Sequence, residues 1–313
     1  MIERPAEPEP FPGHDAGTWT PAPSRVVSSW PQGAFAENLA VDPAGDIYIT
    51  LHTDRRIDRY HPADGTVDTV VELAAPPCGV AFDPNGNGDL WVTGGDVGQA
   101  PGFVWRVSPA GEVQEWVQIP DAVFMNGCTP HPDGDTLLIC ESVTGRILAV
   151  DLRTPRWSAW ITDEQLRPVD AQTPGANGIK AHVDQIWISV TDRDLVLRAG
   201  VSADGTAGPL EVAQSRLRAD DFAFASGGAL YLATHPAHSV LRLDPDGSRT
   251  TVAGPRAGAV GSTACAFGRA PGDETALYVT TSGGLLTPFH GEIEDAKLLR
   301  LDVGETGRPL YPA

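Results

Sequence analysis

The chain has 313 residues, of which 41% are hydrophobic, and a formal net charge of −19. Such an acidic surface repels nucleic-acid phosphates and anionic membranes, and the chain has no apolar run of about eighteen residues that could span a bilayer. We therefore expect a small-molecule substrate as the partner, no nucleic acid and no membrane, and a monomer or weak homo-oligomer.

Residues 1–23 are rich in prolines and acidic residues, which predicts an extended arm before the folded domain. They lack the basic and then apolar regions of a secretory signal, so we expect a cytoplasmic protein. The cysteines show no CxxC spacing and lie in apolar runs, which favours buried thiols over a zinc or disulfide framework. They are Cys78, Cys128, Cys140 and Cys265.

From Glu37 onward one pattern is repeated six times: a short apolar strand, a turn, a second strand and, in most copies, two further strands. The copies recur every 41 to 51 residues and begin at Glu37, Cys78, Asn126, Asn177, Asp220 and Thr263. A period of roughly 40–50 residues with four short strands per unit is typical of propeller blades. The pattern predicts an all-β, six-bladed β-propeller with four antiparallel strands per blade, forming a single domain over residues 24–313.

The sixth copy shows only three clear strands. The stretch Ser24–Trp30 (SRVVSSW) is strand-like and lies outside the repeats. We predict that this N-terminal strand enters the last blade and closes the ring. A solenoid is the alternative, but it requires polar capping repeats, and the terminal copies here are as apolar as the middle ones.

The opening residues of the copies indicate a metal site. In a propeller the first strand of each blade lines the central channel, so these six residues converge at one mouth. Carboxylate and amide oxygens are the ligands that calcium prefers. We predict a Ca²⁺ site, with Mg²⁺, Mn²⁺ or Zn²⁺ as alternatives, whose ligands are Glu37, Asn126, Asn177 and Asp220. Taken singly, each Asn-Gly is most often a turn, and only the shared repeat position favours a site.

The second strand of each blade returns to the same mouth, about fifteen residues after the opening residue in a repeat of this kind. Its end positions are His52, Gly95, Glu141, Asp192, His235 and Ser282. We predict Asp220, His235 and His52 as catalytic residues, and prefer His235 as general base because its strand pairs with the strand of Asp220. Asn126, Glu141 and Asp192 are predicted to bind substrate. Residues 163–175 and 283–295 are candidate lids.

At these positions the chain resembles the senescence marker protein (regucalcin)/gluconolactonase propellers over roughly residues 24–304. The residues that carry the resemblance are Glu37, Met125-Asn126-Gly127, Ala176-Asn177-Gly178-Ile179, Asp220, Gly261–Arg269 and Thr280–Gly284. The resemblance implies that Glu37, Asn177 and Asp220 bind a divalent metal, usually calcium, and that Asn126 binds substrate or metal.

Two positions depart from that family. Its usual Glu-Gly-Pro is Glu37-Asn38-Leu39 here, which resembles a subgroup found beside biosynthetic genes, and its usual Asp-Gly is Asp220-Asp221. We expect Asp220 to be the ligand and Asp221 to point away from the channel, because neighbouring strand residues face opposite sides.

Three functions remain open on this evidence. The first is a calcium-dependent lactone or ester hydrolase, in which the metal polarises the carbonyl and activates water. The second is a metal-assisted isomerase, cyclase or dehydratase of a biosynthetic pathway, which the Glu37-Asn38-Leu39 departure favours. The third is a binding propeller without catalysis. The sequence has no GxSxG elbow, no Ser-His-Asp order in a nucleophile context and no GxGxxG, which argues against serine hydrolases and nucleotide cofactors.

Overall fold

The computed structural model describes residues 11–170 and 173–308, and these form the predicted ring of six four-stranded antiparallel blades. The strands of blades 1 to 3 are Ala36–Val41, Ile47–Leu51, Arg56–His61 and Thr66–Glu72; Pro77–Phe82, Leu90–Gly94, Gly102–Val107 and Val113–Ile119; and Met125–Pro130, Thr136–Glu141, Arg146–Asp151 and Trp157–Thr162. Those of blades 4 to 6 are Ala176–His182, Gln185–Val190, Leu195–Val201 and Ala207–Ser215; Phe222–Phe224, Leu230–Thr234, Ser239–Leu243 and Arg249–Ala253; and Ser262–Phe267, Ala276–Thr281, Ala296–Asp302 and Ser24–Trp30.

Helical structure in the described residues is limited to short 3-10 turns, at Glu164–Leu166, Thr191–Arg193, His235–Ala237 and Pro255–Ala257. Within the same residues, no helix has the length and apolar character needed to cross a membrane.

The ring closes as the sequence predicts. Ser24–Trp30 pairs antiparallel with Ala296–Asp302, so the fourth strand of blade 6 comes from the N-terminal side of the chain. Trp30 is buried, and its indole Nε1 donates to Asp58 Oδ2 of blade 1 at 2.8 Å. One side chain therefore links the closing strand to the neighbouring blade.

The predicted arm is described from residue 11 onward, and residues 1–10 lie outside the described part of the chain. Thr18–Trp19 pairs in parallel with Arg249–Ala253 and extends blade 5 at its outer edge, a short strand that the sequence pattern did not predict. Thr20 and Ala22 continue this contact by donating backbone hydrogen bonds to Thr251 and Val252.

The core is divided among the six interfaces between neighbouring blades, each of which holds one cluster of buried apolar side chains. The cluster between blades 2 and 3, for example, packs Trp91 and Val104 against Leu137 and Ile139. Because each blade is covered on both faces by its two neighbours, the inner two strands are almost continuously buried. The four cysteines are unpaired and buried, as predicted.

Hydroxyl groups also join neighbouring blades close to the channel. Each donates from one blade to an inner-strand carbonyl of the next: Thr50 to Cys78 (2.7 Å), Thr93 to Asn126 (2.5 Å), Ser142 to Ala176 (2.6 Å), Ser189 to Asp220, and Thr263 to Ala36 (2.6 Å). We call these the interblade hydroxyl bonds. They satisfy carbonyls that the inner strands leave unpaired.

We expect Trp30→Ala to lower the free energy of unfolding by about 3–5 kcal/mol, because it removes a buried aromatic side chain at the ring closure. Trp30→Phe should cost about 1–2 kcal/mol, since it keeps the packing and loses the hydrogen bond to Asp58. Urea denaturation measures both. Trp19→Ala, in the arm, is the control, and a loss there as large as that of Trp30→Ala would contradict the closing role of Trp30.

Candidate active site at the acidic channel mouth

The opening residues of the repeats reach the channel because the inner strands are irregular where these residues lie. The pairing register shifts across Glu37, Cys78, Asn126, Asn177 and Thr263, so each lies in a β-bulge and is left out of the regular ladder. A bulge bends the strand and redirects a side chain. In blade 5, Asp220 lies just before the short strand Phe222–Phe224.

The glycines of the two Asn-Gly pairs allow neighbouring blades to approach closely and do not form a hairpin turn. A Cβ atom on Gly127 would lie 2.7 Å from the Asn177 carbonyl oxygen, and one on Gly178 would lie 2.7 Å from the Asp220 carbonyl oxygen. Only glycine permits this close approach between blades. The Asn-Gly pairs thus mark bulges on the channel wall.

Hydrogen bonds from their amide nitrogens orient the side chains of Asn126 and Asn177. Asn126 Nδ2 donates to Ser142 Oγ at 3.2 Å, and Asn177 Nδ2 donates to Thr191 Oγ1 at 2.9 Å. Ser142 and Thr191 are themselves fixed by hydrogen bonds to backbone carbonyls of the following blade. With the amide nitrogens engaged, each Oδ1 atom remains available as an oxygen ligand.

Glu37 has an isolated carboxylate. It is buried, with 8% of its surface exposed, and within the described part of the chain it makes no hydrogen bond or ion pair. Burial, and next the charge of Asp220, raise the pKa of Glu37 to about 8. Burial and the charge of Asp221 likewise raise the pKa of Asp220 well above its usual range. Two carboxylates that resist ionisation in this way indicate a place where positive charge is needed.

These residues fit a divalent cation. The residues that would hold it are the four predicted ligands, Glu37, Asn126, Asn177 and Asp220, which are buried at the same register of four blades. An all-oxygen set suits calcium better than zinc, which prefers nitrogen and sulfur. Among the described residues no group of three or more His, Cys, Asp and Glu side chains could hold a metal ion, so any site here depends on the amides.

The His235 ring lies between Asp220 and Ser282 and is hydrogen-bonded to Ser282. His235 Nδ1 lies 3.3 Å from Asp220 Oδ2, and His235 Nε2 lies 3.1 Å from Ser282 Oγ. Ser282 is fully buried, so it cannot reach a substrate as a nucleophile. Nε2 of His235 is engaged by Ser282 and Nδ1 faces Asp220, so the contacts of His235 favour a structural role beside Asp220. The sequence reading found all three positions but did not join them.

His52 has the free acceptor nitrogen that His235 lacks. Its Nδ1 lies 3.1 Å from the Pro77 carbonyl oxygen, which can only accept, so the proton resides on Nδ1 and Nε2 keeps its lone pair. Burial lowers the pKa of His52, which keeps the ring neutral. Cys78 Sγ lies 3.3 Å from Nδ1, and the Phe35 ring packs edge-on against both His52 and His235. This geometry favours His52 over His235 as the general base.

Asp221 is not turned away from the channel, and that expectation was wrong. It is buried and accepts from Lys180 Nζ at 2.6 Å and from Asn38 Nδ2 at 3.0 Å, although Asn38 belongs to blade 1 across the channel. The alternation of a regular strand fails here because Asp220 N and Asp221 O both pair with Ala233. Asp221 is already neutralised by Lys180, which leaves Asp220 as the ligand candidate.

The carboxylates of Glu141 and Asp192 accept hydrogen bonds from backbone amides. Glu141 is fully buried and accepts from the amides of Val123, Phe124 and Thr144. Asp192 Oδ2 accepts from the amides of Val169 and Asp170 and so holds the 163–175 loop, of which residues 171 and 172 are not described. These bonds give both residues a structural role, and their contact with substrate stays a prediction.

A cavity lined by both apolar and polar side chains lies beside the acidic mouth. Its volume is about 180 Å³, and it is lined by Phe11, Pro236, Ala237, His238 and the Thr287–His290 stretch. Pro236 and His238 follow His235 directly, and Thr287–His290 belongs to the 283–295 candidate lid. The His238 and Phe289 rings pack edge-on with centroids 5.3 Å apart. The cavity offers room for the apolar part of a small molecule next to the polar ring.

No family model matches the chain. A provisionally named hetero-Diels-Alderase from Phoma sp is 26% identical over 350 aligned positions, covering 89% of this chain and 90% of that protein. Among solved structures, regucalcin from Agrobacterium tumefaciens, described as a calcium-binding protein, superposes with a TM-score of 0.68 at 19% identity, covering 95% and 99% of the two chains. A gluconolactonase from Xanthomonas campestris has a TM-score of 0.66 at 15% identity, covering 92% and 91%.

These structural likenesses confirm the predicted resemblance to regucalcin and gluconolactonase propellers at the level of the fold. At such identities the shared fold does not carry the activity with it.

In protein freed of divalent cations, we expect the free energy of unfolding to fall as the pH rises from about 4.5 to about 8. In that window folded Glu37 retains a proton that the unfolded chain has lost, so raising the pH favours unfolding. Glu37→Gln should remove a few kcal/mol of this fall, since each pKa unit corresponds to about 1.4 kcal/mol. Urea denaturation across the pH range measures it. Equal slopes for wild type and variant would contradict the assignment.

Proposed function

We propose that the protein is an enzyme of small-molecule biosynthesis that binds a divalent cation at the acidic mouth and cyclises a carbonyl-containing, largely apolar substrate. The observation that carries the proposal is the buried Glu37 carboxylate, which has no partner among the described residues and faces the same channel as Asp220 and the two oriented amides. The full-length similarity to the Phoma protein supports a cyclisation. Calcium is the proposed ion.

The chain's own residues would prepare this mouth for a carbonyl substrate. The bonds that the two amide nitrogens donate to Ser142 and Thr191 keep the Asn126 and Asn177 oxygens available, and His235, held by Ser282, lies against the Asp220 carboxylate. When bound there, a divalent cation supplies a Lewis acid that polarises a carbonyl oxygen.

Apolar side chains would position the rest of the substrate. Phe35 separates the two histidines at the mouth, and the cavity of about 180 Å³ behind His235 would bind the apolar body. Holding two reacting π-systems together in such a site lowers the entropic cost of joining them. A cycloaddition needs little more than this orientation and a polarised carbonyl.

Hydrolysis of a lactone or ester is a second candidate, and the geometry of His52 favours it. A neutral imidazole with a free Nε2 at the mouth could accept a proton from attacking water. A cycloaddition forms its bonds without such a proton transfer. His52 therefore distinguishes the two reactions.

The cation is tested by binding. At pH 8, Ca²⁺ is added to wild-type protein from which a chelator has removed divalent cations. At a Ca²⁺ concentration 100 times the dissociation constant, it should raise the free energy of unfolding by about 2.7 kcal/mol. Glu37→Gln and Asp220→Asn should lose this stabilisation, and Glu211→Gln, whose partner Arg198 lies on the surface, should retain it. Unfolding midpoints with and without Ca²⁺ provide the measurement. Equal stabilisation of all four proteins would overturn the ligand assignment.

The reaction is tested with two substrate panels: lactones and aryl esters for hydrolysis, and α,β-unsaturated carbonyl compounds with electron-rich alkenes for cycloaddition to dihydropyrans. We expect the protein to form dihydropyrans and chelation to abolish this activity. His52→Gln should change the rate of dihydropyran formation less than about tenfold. If hydrolysis is the activity, His52→Gln should lower it by about 10²–10⁴, the usual contribution of a general base. Mass spectrometry of the products shows which of the two reactions occurs. Activity that survives chelation would contradict both reactions as proposed.

A further inference from the structure

The channel has a second opening, which the function proposed above does not use. A cavity of about 110 Å³ lies at the end opposite the acidic mouth, since all six inner strands contribute their later residues to it. In blade 1, for example, Glu37 faces the acidic mouth, whereas Leu39 and Val41 line this cavity. Its walls are mainly apolar and include the rings of Phe82, Phe224 and Phe267. We call it the distal cavity.

The charged side chains that line the distal cavity are all cationic: Lys180, Arg269 and Arg308. This is unexpected in a chain with a net charge of −19. Lys180 is neutralised inside the channel, because both carboxylate oxygens of Asp221 lie 2.6 Å from its Nζ.

Arg308 has no acidic partner among the described residues. Its Nη1 lies 2.9 Å from Nδ1 and 3.3 Å from Nε2 of His182, a ring stacked on Phe224 at 3.9 Å. Burial and the Arg308 charge lower the pKa of His182, so the imidazole is neutral and does not balance the guanidinium. An arginine at an apolar opening without a carboxylate retains most of its capacity to bind an anion.

The backbone holds Arg308 in place. Arg308 N donates to the Phe224 carbonyl at 3.0 Å, and Gly307 bridges to Ala225, so this segment adds to the inner strand of blade 5. A Cβ atom on Gly307 would lie 2.3 Å from the Phe267 Cβ, which shows how closely the segment packs against the opening. Arg269 reinforces it by donating to the Arg308 carbonyl at 3.4 Å.

We propose that the distal cavity is a second binding site, for a small organic carboxylate with an aromatic or otherwise apolar body. Arg308 would bind the carboxylate at the opening, and Arg269 would hold the Arg308 backbone in place. The apolar body would pack against Phe82, Phe224 and Phe267. The site is separate from the acidic mouth and does not depend on the reaction proposed there.

Benzoate is the probe, and neutral benzamide of the same shape is its matched control. By titration calorimetry we expect saturable benzoate binding to the full chain and at least tenfold weaker binding of benzamide. Arg308→Gln should weaken benzoate binding at least tenfold. Arg153→Gln, which removes a surface arginine paired with Asp135, should leave it unchanged. Unfolding midpoints verify that the variants are folded.

One further variant separates this proposal from the one for the acidic mouth. Glu37→Gln should bind benzoate like the wild type, so failure of the acidic-mouth proposal would leave this one standing. Absence of saturable benzoate binding to the wild type, or equal binding to wild type and Arg308→Gln, would overturn the proposal.

Discussion

The structure depends on how the inner strands satisfy their backbone where they leave the regular ladder. The bulges at Asn126, Asn177 and their equivalents leave carbonyl groups in the channel wall without a strand partner. The interblade hydroxyl bonds, such as Thr93 to Asn126, supply that partner from the preceding blade. Because a buried unpaired carbonyl costs free energy, these hydroxyls tie the placement of the polar ring to the packing of the blades.

This arrangement makes the two ends of one channel chemically different. One end presents Glu37, Asp220 and the two amides, and burial raises the pKa of both carboxyl groups. At the other end regular strand residues form an apolar wall around Arg308. The Asp221–Lys180 pair lies between them and is neutral as a unit. A propeller can therefore carry an acidic site and a cationic site on a single axis.

The repeat pattern located most of the candidate site, since one position in each copy must occupy one position around the ring. It found Glu37 and Asp220 without any structure, and it found the closing strand Ser24–Trp30 because one blade lacked a strand. It could not assign the roles of His52 and His235, which depend on partners distant in sequence, Pro77 for one and Ser282 for the other. Hydrogen-bond partners from other blades leave no local pattern.

The sequence by itself determined the number of blades, their strands and the register at which polar residues enter the channel, because these follow from periodicity and burial. Only the tertiary structure decided which polar groups are free. Within residues 11–170 and 173–308 it showed Glu37 without a partner, Glu141 engaged by backbone amides and Asp221 neutralised by Lys180. Whether a buried carboxylate can bind a ligand depends on the hydrogen bonds around it, and those arise only when the six blades meet.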